Sequence, residues 1–470
     1  MQEEKVTRGE LMLDDAEGGA AGEATPNDKS IRLSDHFTVK KLLRFTLPSI
    51  VMMIFTSIYG VVDGLFVSNF VGKTAFSAVN FIMPYLMILG AIGFMFGAGG
   101  SALVSKTLGQ GRVEKANRRF SFIVYFTIFS GALLGLLGIF TLRPVAILLG
   151  AEGQMLEDSV LYGTIILLAL PAFMLQMEFQ SFFVTAEKPK LGLFSTLAAG
   201  IANMLLDALF VGLFRWGLVG AACATAISQL LGGVIPILYF LRKNSSLLRL
   251  TKAGWDGRTL WKVCVNGSSE LMSNVSMSLV GMLYNIQLLK YAGQDGIAAY
   301  GVLMYVTFAF LSIYIGYIVG CAPVIGYHYG AKNSLELKSL LRKSLAIIGV
   351  SSLAMVALSL ALAVPLSKLF VGYDENLYTL TRNGFYIYSL SFLFSGFAIF
   401  LSGFFTALND GVTSAIVSFL RTLVFQVAAV LILPLLWQVN GIWMSVVVAE
   451  VLAVLVGLVF LFAKQKKFQY

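Results

Sequence analysis

Apolar blocks of about twenty residues follow one another along this chain, separated by short stretches where charge, Gly and Pro gather. The blocks "YGTIILLALPAFMLQMEFQSFFV" and "LRTLVFQVAAVLILPLLWQV" are typical. A helix rises about 1.5 Å per residue, so a mostly apolar run of about 18 or more is long enough to cross a bilayer. Dividing the chain at its charge clusters and turn residues predicts twelve spans, near 43–66, 76–104, 119–141, 160–184, 191–214, 217–241, 264–290, 297–325, 344–364, 383–407, 412–436 and 438–463. The expected fold is an all-α polytopic membrane protein.

Composition agrees. Of the 470 residues, 57% are hydrophobic and 13% charged, against about 25% charged in an average soluble domain. A net charge of +9 would suit nucleic acid if it formed a stripe, but the bases lie in short loops between spans. No nucleic-acid partner is expected. With the N-terminus inside, 27 of the 34 Lys and Arg fall on the inner side. Six fall outside, at Lys73, Arg143, Arg215, Lys290, Lys368 and Arg382, and Arg421 lies within a span. That bias places both termini in the cytoplasm. Cys223, Cys264 and Cys321 stand singly, with no metal or disulfide spacing. His36 lies in the tail and His328 near a span end, and neither is given a role.

A repeat runs through the spans. Shifting the chain by 221 residues lays spans 7–12 over spans 1–6 and pairs Gly72 with Gly293, Gly109 with Gly330, Pro144 with Pro365 and Trp216 with Trp437. Most such matches fall at turns and span ends. Six spans per half is an even number, so both halves enter from the same side and form parallel repeats. The expected organisation is a disordered acidic cytoplasmic tail at 1–36, an N-lobe at 37–241 holding spans 1–6 and a cytoplasmic linker at 242–262. A C-lobe at 263–463 holds spans 7–12, and a short cytoplasmic tail follows at 464–470. Two lobes meeting in a membrane suggest a transporter that rocks between inward-open and outward-open forms.

Five acidic residues fall within spans: Asp63, Glu178, Asp207, Glu270 and Glu450. Asn203 and Asp207 are four residues apart, so a helix turns them to one face. Asp63, Asn203, Asp207 and Thr225 all lie in the outer half of the first lobe by span depth. Two carboxylates, an amide and a hydroxyl suit Na⁺, or a proton shared between the acids. The alternative is a hydrogen-bonded patch that glues helices. The repeat favours the ion, because the positions 221 residues on are Tyr284, Val424, Ala428 and Val446. Glu178 and Gln180 are candidates for a cationic substrate in the inner half of the N-lobe, or for packing. Glu270, Arg421 and Glu450 suggest a C-lobe polar network, with Arg421 able to pair with either acid. Pro48 removes a backbone hydrogen bond in span 1 and permits a bend. An intramembrane enzyme would need a nucleophile–base pair or a metal cluster, and neither His is placed for one. No cofactor is expected.

The segments "LPSIVMMIFTSIYGVVDGLFVSNFVG", "GFMFGAGGSALVSKTLGQGRVEKANRRFSF", "FFVTAEKPKLGLFSTLAAGIANMLLDALFV" and "WGLVGAACATAISQ" resemble MATE (multidrug and toxic compound extrusion) transporters, especially the MepA-like bacterial branch. The resemblance covers roughly 37–463. It implies a multi-pass protein of the bacterial cytoplasmic membrane, an H⁺- or Na⁺-coupled antiporter exporting lipophilic organic cations and drugs. It implies a first-lobe cation site at Asp63, Asn203, Asp207 and Thr225, and a helix bend at Pro48. Some branches instead use acids in spans 7 and 10, but span 10 here has none. A lipid-linked oligosaccharide flippase of the same superfamily is the second reading, and it would be expected to carry a basic cleft. Membrane lipid is the other expected partner, and a monomer the expected state.

Overall fold

The computed structural model describes residues 31–470, which form helices and turns with no strand among them. The expectation of a disordered tail falls outside the described residues for 1–30. Within 33–37, Leu33 and Phe37 are buried and hydrogen-bonded, while Ser34 and His36 are exposed. Leu33 N–H donates to Glu187 at 2.5 Å, Phe37 N–H donates to Glu336 at 2.9 Å, and both apolar side chains are fully buried. Two apolar anchors four residues apart hold a segment whose charges alone suggested solvent.

Nine helices among the described residues are long and apolar enough to cross a membrane, or ten when one bent pair is joined. Two of these are folded back on themselves. The stretch Gly257–Gly330 is interrupted at Gly293, where φ is 64° and ψ −152°. Tyr284 and Tyr300 stack at 5.4 Å across this point, whereas sixteen residues of straight helix would separate them by about 24 Å. Only Gly takes that backbone conformation without strain. The stretch Gln426–Phe468 breaks at Trp437 and Gln438, and Gly441 lies against Leu433. Divided at these turns, the described residues fall into twelve helical segments, which are numbered here as spans 1–12.

Spans 1–3 are Val39–Phe66, Lys73–Gly109 and Val113–Leu148. Span 4 is the bent pair Gly153–Leu168 and Leu170–Thr185, with 57° between its halves. Pro171 in the first turn of the second half cannot return a bond to Leu167. Gly135 of span 3 seats its backbone on the Leu167 carbonyl instead. Spans 5 and 6 are Pro189–Asp207 and Gly217–Leu241, spans 7 and 8 are 257–292 and 294–330, and span 9 is Ser334–Val371. Span 10 joins Glu375–Tyr388 to Phe392–Ala407, span 11 runs from Gly411 to 436, and span 12 covers 439–468. The helices outrun the apolar blocks because polar caps extend them. Asp256 caps span 7 through the Thr259 N–H, Asn333 caps span 9, and Asp374 caps span 10. The linker expected to run to 262 is therefore already helical from Gly257, and the tail expected at 464–470 is helical to Phe468.

The lobes meet through small residues. Gly99 and Gly267 bring spans 2 and 7 together, Gly109 and Gly330 bring spans 2 and 8 together, and Gly316 and Gly320 seat span 8 on Ser49, Ile50 and Thr46 of span 1. A Cβ on Gly267 would lie 1.9 Å from the Met95 carbonyl oxygen. All six glycines lie in the half of the bundle nearer the termini. On that face Asn409 also donates to Ala102 at 3.0 Å, and Lys106 lies 4.6 Å from the Tyr329 ring centroid. Gly60 and Gly281, in the far halves of spans 1 and 7, have nothing against them within 4 Å. The seam is closed at the terminal face and looser beyond.

Candidate functional site

Span 5 buries Thr196, Ala199, Gly200, Asn203 and Asp207, a stripe at helical spacing, and turns Ile201 and Leu205 outward. The stripe is small at Gly200, where an added Cβ would lie 2.4 Å from Phe55 and 3.1 Å from Tyr59 of span 1. That close approach brings the polar members of span 5 to Asp63, which stands one turn beyond Tyr59. Span 6 supplies Thr225.

The structure brings together all four residues that the sequence placed at one depth. Thr225 donates to Asp63 at 3.4 Å, and the Asn203 amide donates to Thr225 at 3.5 Å. Both bonds are long. Asp207 adjoins the Asp63 carboxylate. Asn203 and Asp207 are 1% and 0% exposed, and Asn203 Oδ1, Asp207 Oδ1 and Asp207 Oδ2 have no hydrogen-bond partner. A buried acceptor without a donor costs about 1–3 kcal/mol, and more when charged. The cluster is therefore rich in acceptors and short of donors, the composition that a proton or a hard cation completes. No group of three His, Cys, Asp or Glu suited to a metal occurs among the described residues.

Three further residues surround the cluster that sequence reasoning did not single out. Tyr59 and Gln176 are neighbours, and Tyr162 of span 4 lies beside Thr225. Gly232 of span 6 leaves room for Gln176, whose side chain an added Cβ would meet at 2.7 Å. A tyrosine in a membrane helix is too common to stand out, but Tyr59 shares the i, i+4 face of Asp63, and that was a readable signal. Wide π turns also mark the charged positions: 67–71 follows Asp63 by one turn, 208–213 begins directly after Asp207, and 420–425 contains Arg421.

Glu178 and Gln180 do not line an open cleft in this conformation. They are 0% and 5% exposed, and span 2 seats on Glu178 through Gly97. Neither Glu178 oxygen has a hydrogen-bond partner, and Thr127 is its polar neighbour. In the C-lobe Arg421 pairs with Glu450 rather than Glu270. Its Nε lies 2.9 and 3.1 Å from the two carboxylate oxygens and a terminal nitrogen lies 2.8 Å from one of them. Glu270 stands further off and is half-buried. Tyr284, which replaces Asp63 in the repeat, stacks on Tyr300 and donates to Gln426 at 2.8 Å. The C-lobe counterpart of the acid cluster is thus a neutral aromatic network. Pro48 lies inside the continuous helix of span 1, between Thr46 and the Ser49–Ile50 pair that contact span 8. His36, given no role from sequence, lies 2.6 Å from Glu336.

Two helical lobes built on one repeat, closed against each other at one face and carrying in the first lobe an acid pair of half-buried Asp63 and fully buried Asp207, define a polytopic membrane transporter. The sequence model of the MatE family matches residues 48–209 and 271–432, and the chain belongs to that family. The second match starts 223 residues after the first (271 against 48), close to the 221 of the internal comparison. The chain is 24% identical over 435 residues to the multidrug export protein MepA of Staphylococcus saprophyticus, covering 90% of this chain and 93% of that protein. It is 25% identical over 430 residues to MepA of Staphylococcus aureus, with the same coverage. Among solved structures, a MATE in complex with MaL6 superposes with a TM-score of 0.87 at 20% identity, covering 92% of this chain and 98% of that one. An outward-facing multidrug resistance MATE transporter of the MOP superfamily gives 0.85 at 21% identity, covering 94% and 99%.

Proposed function

We propose that this protein exports lipophilic organic cations across the cytoplasmic membrane in exchange for H⁺ or Na⁺, with both termini in the cytoplasm. The observation that carries the reading is the Asp207 carboxylate, buried beside Asp63 with neither oxygen accepting from a donor group of another residue type. Helix glue would satisfy its own acceptors. A proton shared by the two acids, or Na⁺ held by Asp63, Asp207, Asn203 and Thr225, removes the repulsion between like charges in a medium of low dielectric. The names of the MepA relatives support drugs as the exported class.

Coupling runs along span 1. Ion binding draws Asp63 toward span 5, while the other half of the same helix contacts span 8 on both sides of Pro48. Pro48 leaves one helical bond unmade, so span 1 can bend there at low cost. A change of shape at the acid pair thereby reaches the seam between the lobes. Loss of the ion at the cytoplasmic side leaves the pair charged and the cleft free for an organic cation. The flippase reading is disfavoured because Arg421, the cation that the sequence places inside a span, is neutralised by Glu450.

Ethidium efflux from cells producing wild type or Asp207→Asn tests this. The substitution keeps the shape and removes the titratable charge. We expect the variant to fall to the level of cells lacking the protein. Wild-type efflux by the variant would make the pair structural.

A further inference from the structure

At the terminal face, outside the acid cluster, the inter-lobe linker lies along span 3. Hydrogen bonds fasten it to one stripe of that helix, one of them between the Ser121 and Thr251 hydroxyls at 3.3 Å. Arg249 N–H donates to Asn117 at 2.8 Å, Thr251 N–H donates to Ser121 at 2.8 Å, and the Tyr125 hydroxyl donates to the Thr251 carbonyl at 3.3 Å. Residues 117, 121 and 125 are successive turns of one face. The fastened linker then delivers Trp255 to Phe122 and Phe126, at ring distances of 5.8 and 6.0 Å.

Between linker and helix lies a cavity of about 460 Å³ lined by Lys115, Arg118, Arg119, Phe122, Trp255 and Asp256. Its order along span 3 is informative. The cations at 115, 118 and 119 come first, and Phe122 follows one turn nearer the bilayer, with exposed Phe129 beyond. Trp255 and Trp261 are 75% and 72% exposed, as aromatic side chains at a membrane–water boundary are. The cavity also contains Glu114 and Asp256. Asp256 is already engaged, capping span 7 by accepting from the Thr259 N–H at 3.0 Å and its hydroxyl at 2.6 Å. Arg119 gives one terminal nitrogen to Thr107 at 2.7 Å, and its Nε is buried without a partner. Arg112 lies near Arg119, so positive charge exceeds negative around the cavity.

The C-lobe carries a smaller analogue. A cavity of about 220 Å³ at the start of span 9 is lined by Lys338 and Arg342 together with Leu461 and Phe462. Each lobe thus has, at the terminal end of its third span, cations beside large apolar side chains. A soluble anion would need only the cations.

We propose that the span 3 cavity is a binding site for an anionic membrane phospholipid. Its phosphate sits on Lys115, Arg118 and Arg119, and its acyl chains run over Phe122, Trp255 and Phe129. Bound there, the lipid fastens the linker to the N-lobe and steadies the joint about which the lobes move.

Trp255 provides the readout. The full-length protein is reconstituted in phosphatidylcholine nanodiscs doped with brominated phosphatidylglycerol or brominated phosphatidylcholine. Quenching of the emission that Trp255→Phe removes is then measured. We expect phosphatidylglycerol to quench at much the lower mole fraction. K115Q with R118Q, two exposed positions, should weaken that quenching about twenty-five-fold, about fivefold for each cation removed near a membrane surface. K115R with R118K should retain it, which separates lost charge from misfolding. Equal quenching by the two lipids in wild type, or unchanged quenching in K115Q/R118Q, overturns the proposal. Displacement of the brominated lipid by millimolar inorganic phosphate assigns the cavity to a soluble anion and overturns it equally.

Discussion

An ionisable residue in a lipid-facing sequence is conspicuous because the alternative residues there are so uniform. That is why Asp63 and Asp207 were legible from the chain alone, and why Tyr59, Tyr162 and Gln176 were not, being neutral and unremarkable in membrane helices. The repeat sharpened the reading by showing Tyr284, Val424 and Ala428 where the first lobe has acids and an amide. Sequence could not choose a partner for Arg421, since Glu270 and Glu450 flank it in depth. The structure pairs it with Glu450, the two side chains being 13% and 5% exposed. Removing one member of such a pair leaves a buried charge uncompensated, at a cost of about 3–5 kcal/mol. Arg421→Ala should therefore lower the midpoint of thermal unfolding in detergent clearly. Arg421→Met combined with Glu450→Leu should lower it much less, because the double variant leaves no orphan charge. Equal losses in the two would show that packing, not charge, holds that site.

At the scale of elements, long apolar runs made the spans visible and turn chemistry made their number visible, but the ends were misplaced. Span 3 begins at Val113 rather than 119 and span 7 at Gly257 rather than 264, since a helix continues past the bilayer as far as its caps and loop contacts support it. What apolar periodicity cannot convey is which small residues seat one helix on another. Gly267 is such a position, its missing side chain replaced by the backbone of span 2 at Met95. Gly267→Ala should force spans 2 and 7 apart and loosen the closed face. Cys264, one turn earlier and packed on the N-lobe core, reports this directly. Its labelling by a membrane-impermeant maleimide in purified protein should accelerate severalfold in the variant. An unchanged rate would mean that the seam is not held at this crossing.

For the whole molecule, the asymmetry between lobes matters more than their likeness. Both halves share a fold and a repeat, yet one holds an acceptor-rich acid pair and the other a stacked aromatic network with a neutralised Arg–Glu pair. An ion acting on one lobe reaches the other through the seam, and span 1 joins the acid site to that seam, with Asp63 at one end and the span 8 contacts around Pro48 at the other. The strap at 33–37 adds a second tie across the terminal face, reaching Glu187 of one lobe and Glu336 of the other. Ion-coupled exchange is the central claim, and counterflow tests it most directly. Purified protein in sealed proteoliposomes is given an outward gradient of ethidium with no ion gradient, while internal pH and internal Na⁺ are followed by trapped dyes. The account predicts that wild type drives H⁺ or Na⁺ inward as ethidium leaves, and that Asp207→Asn drives neither. Ethidium leaving through wild type with no movement of either ion would contradict it.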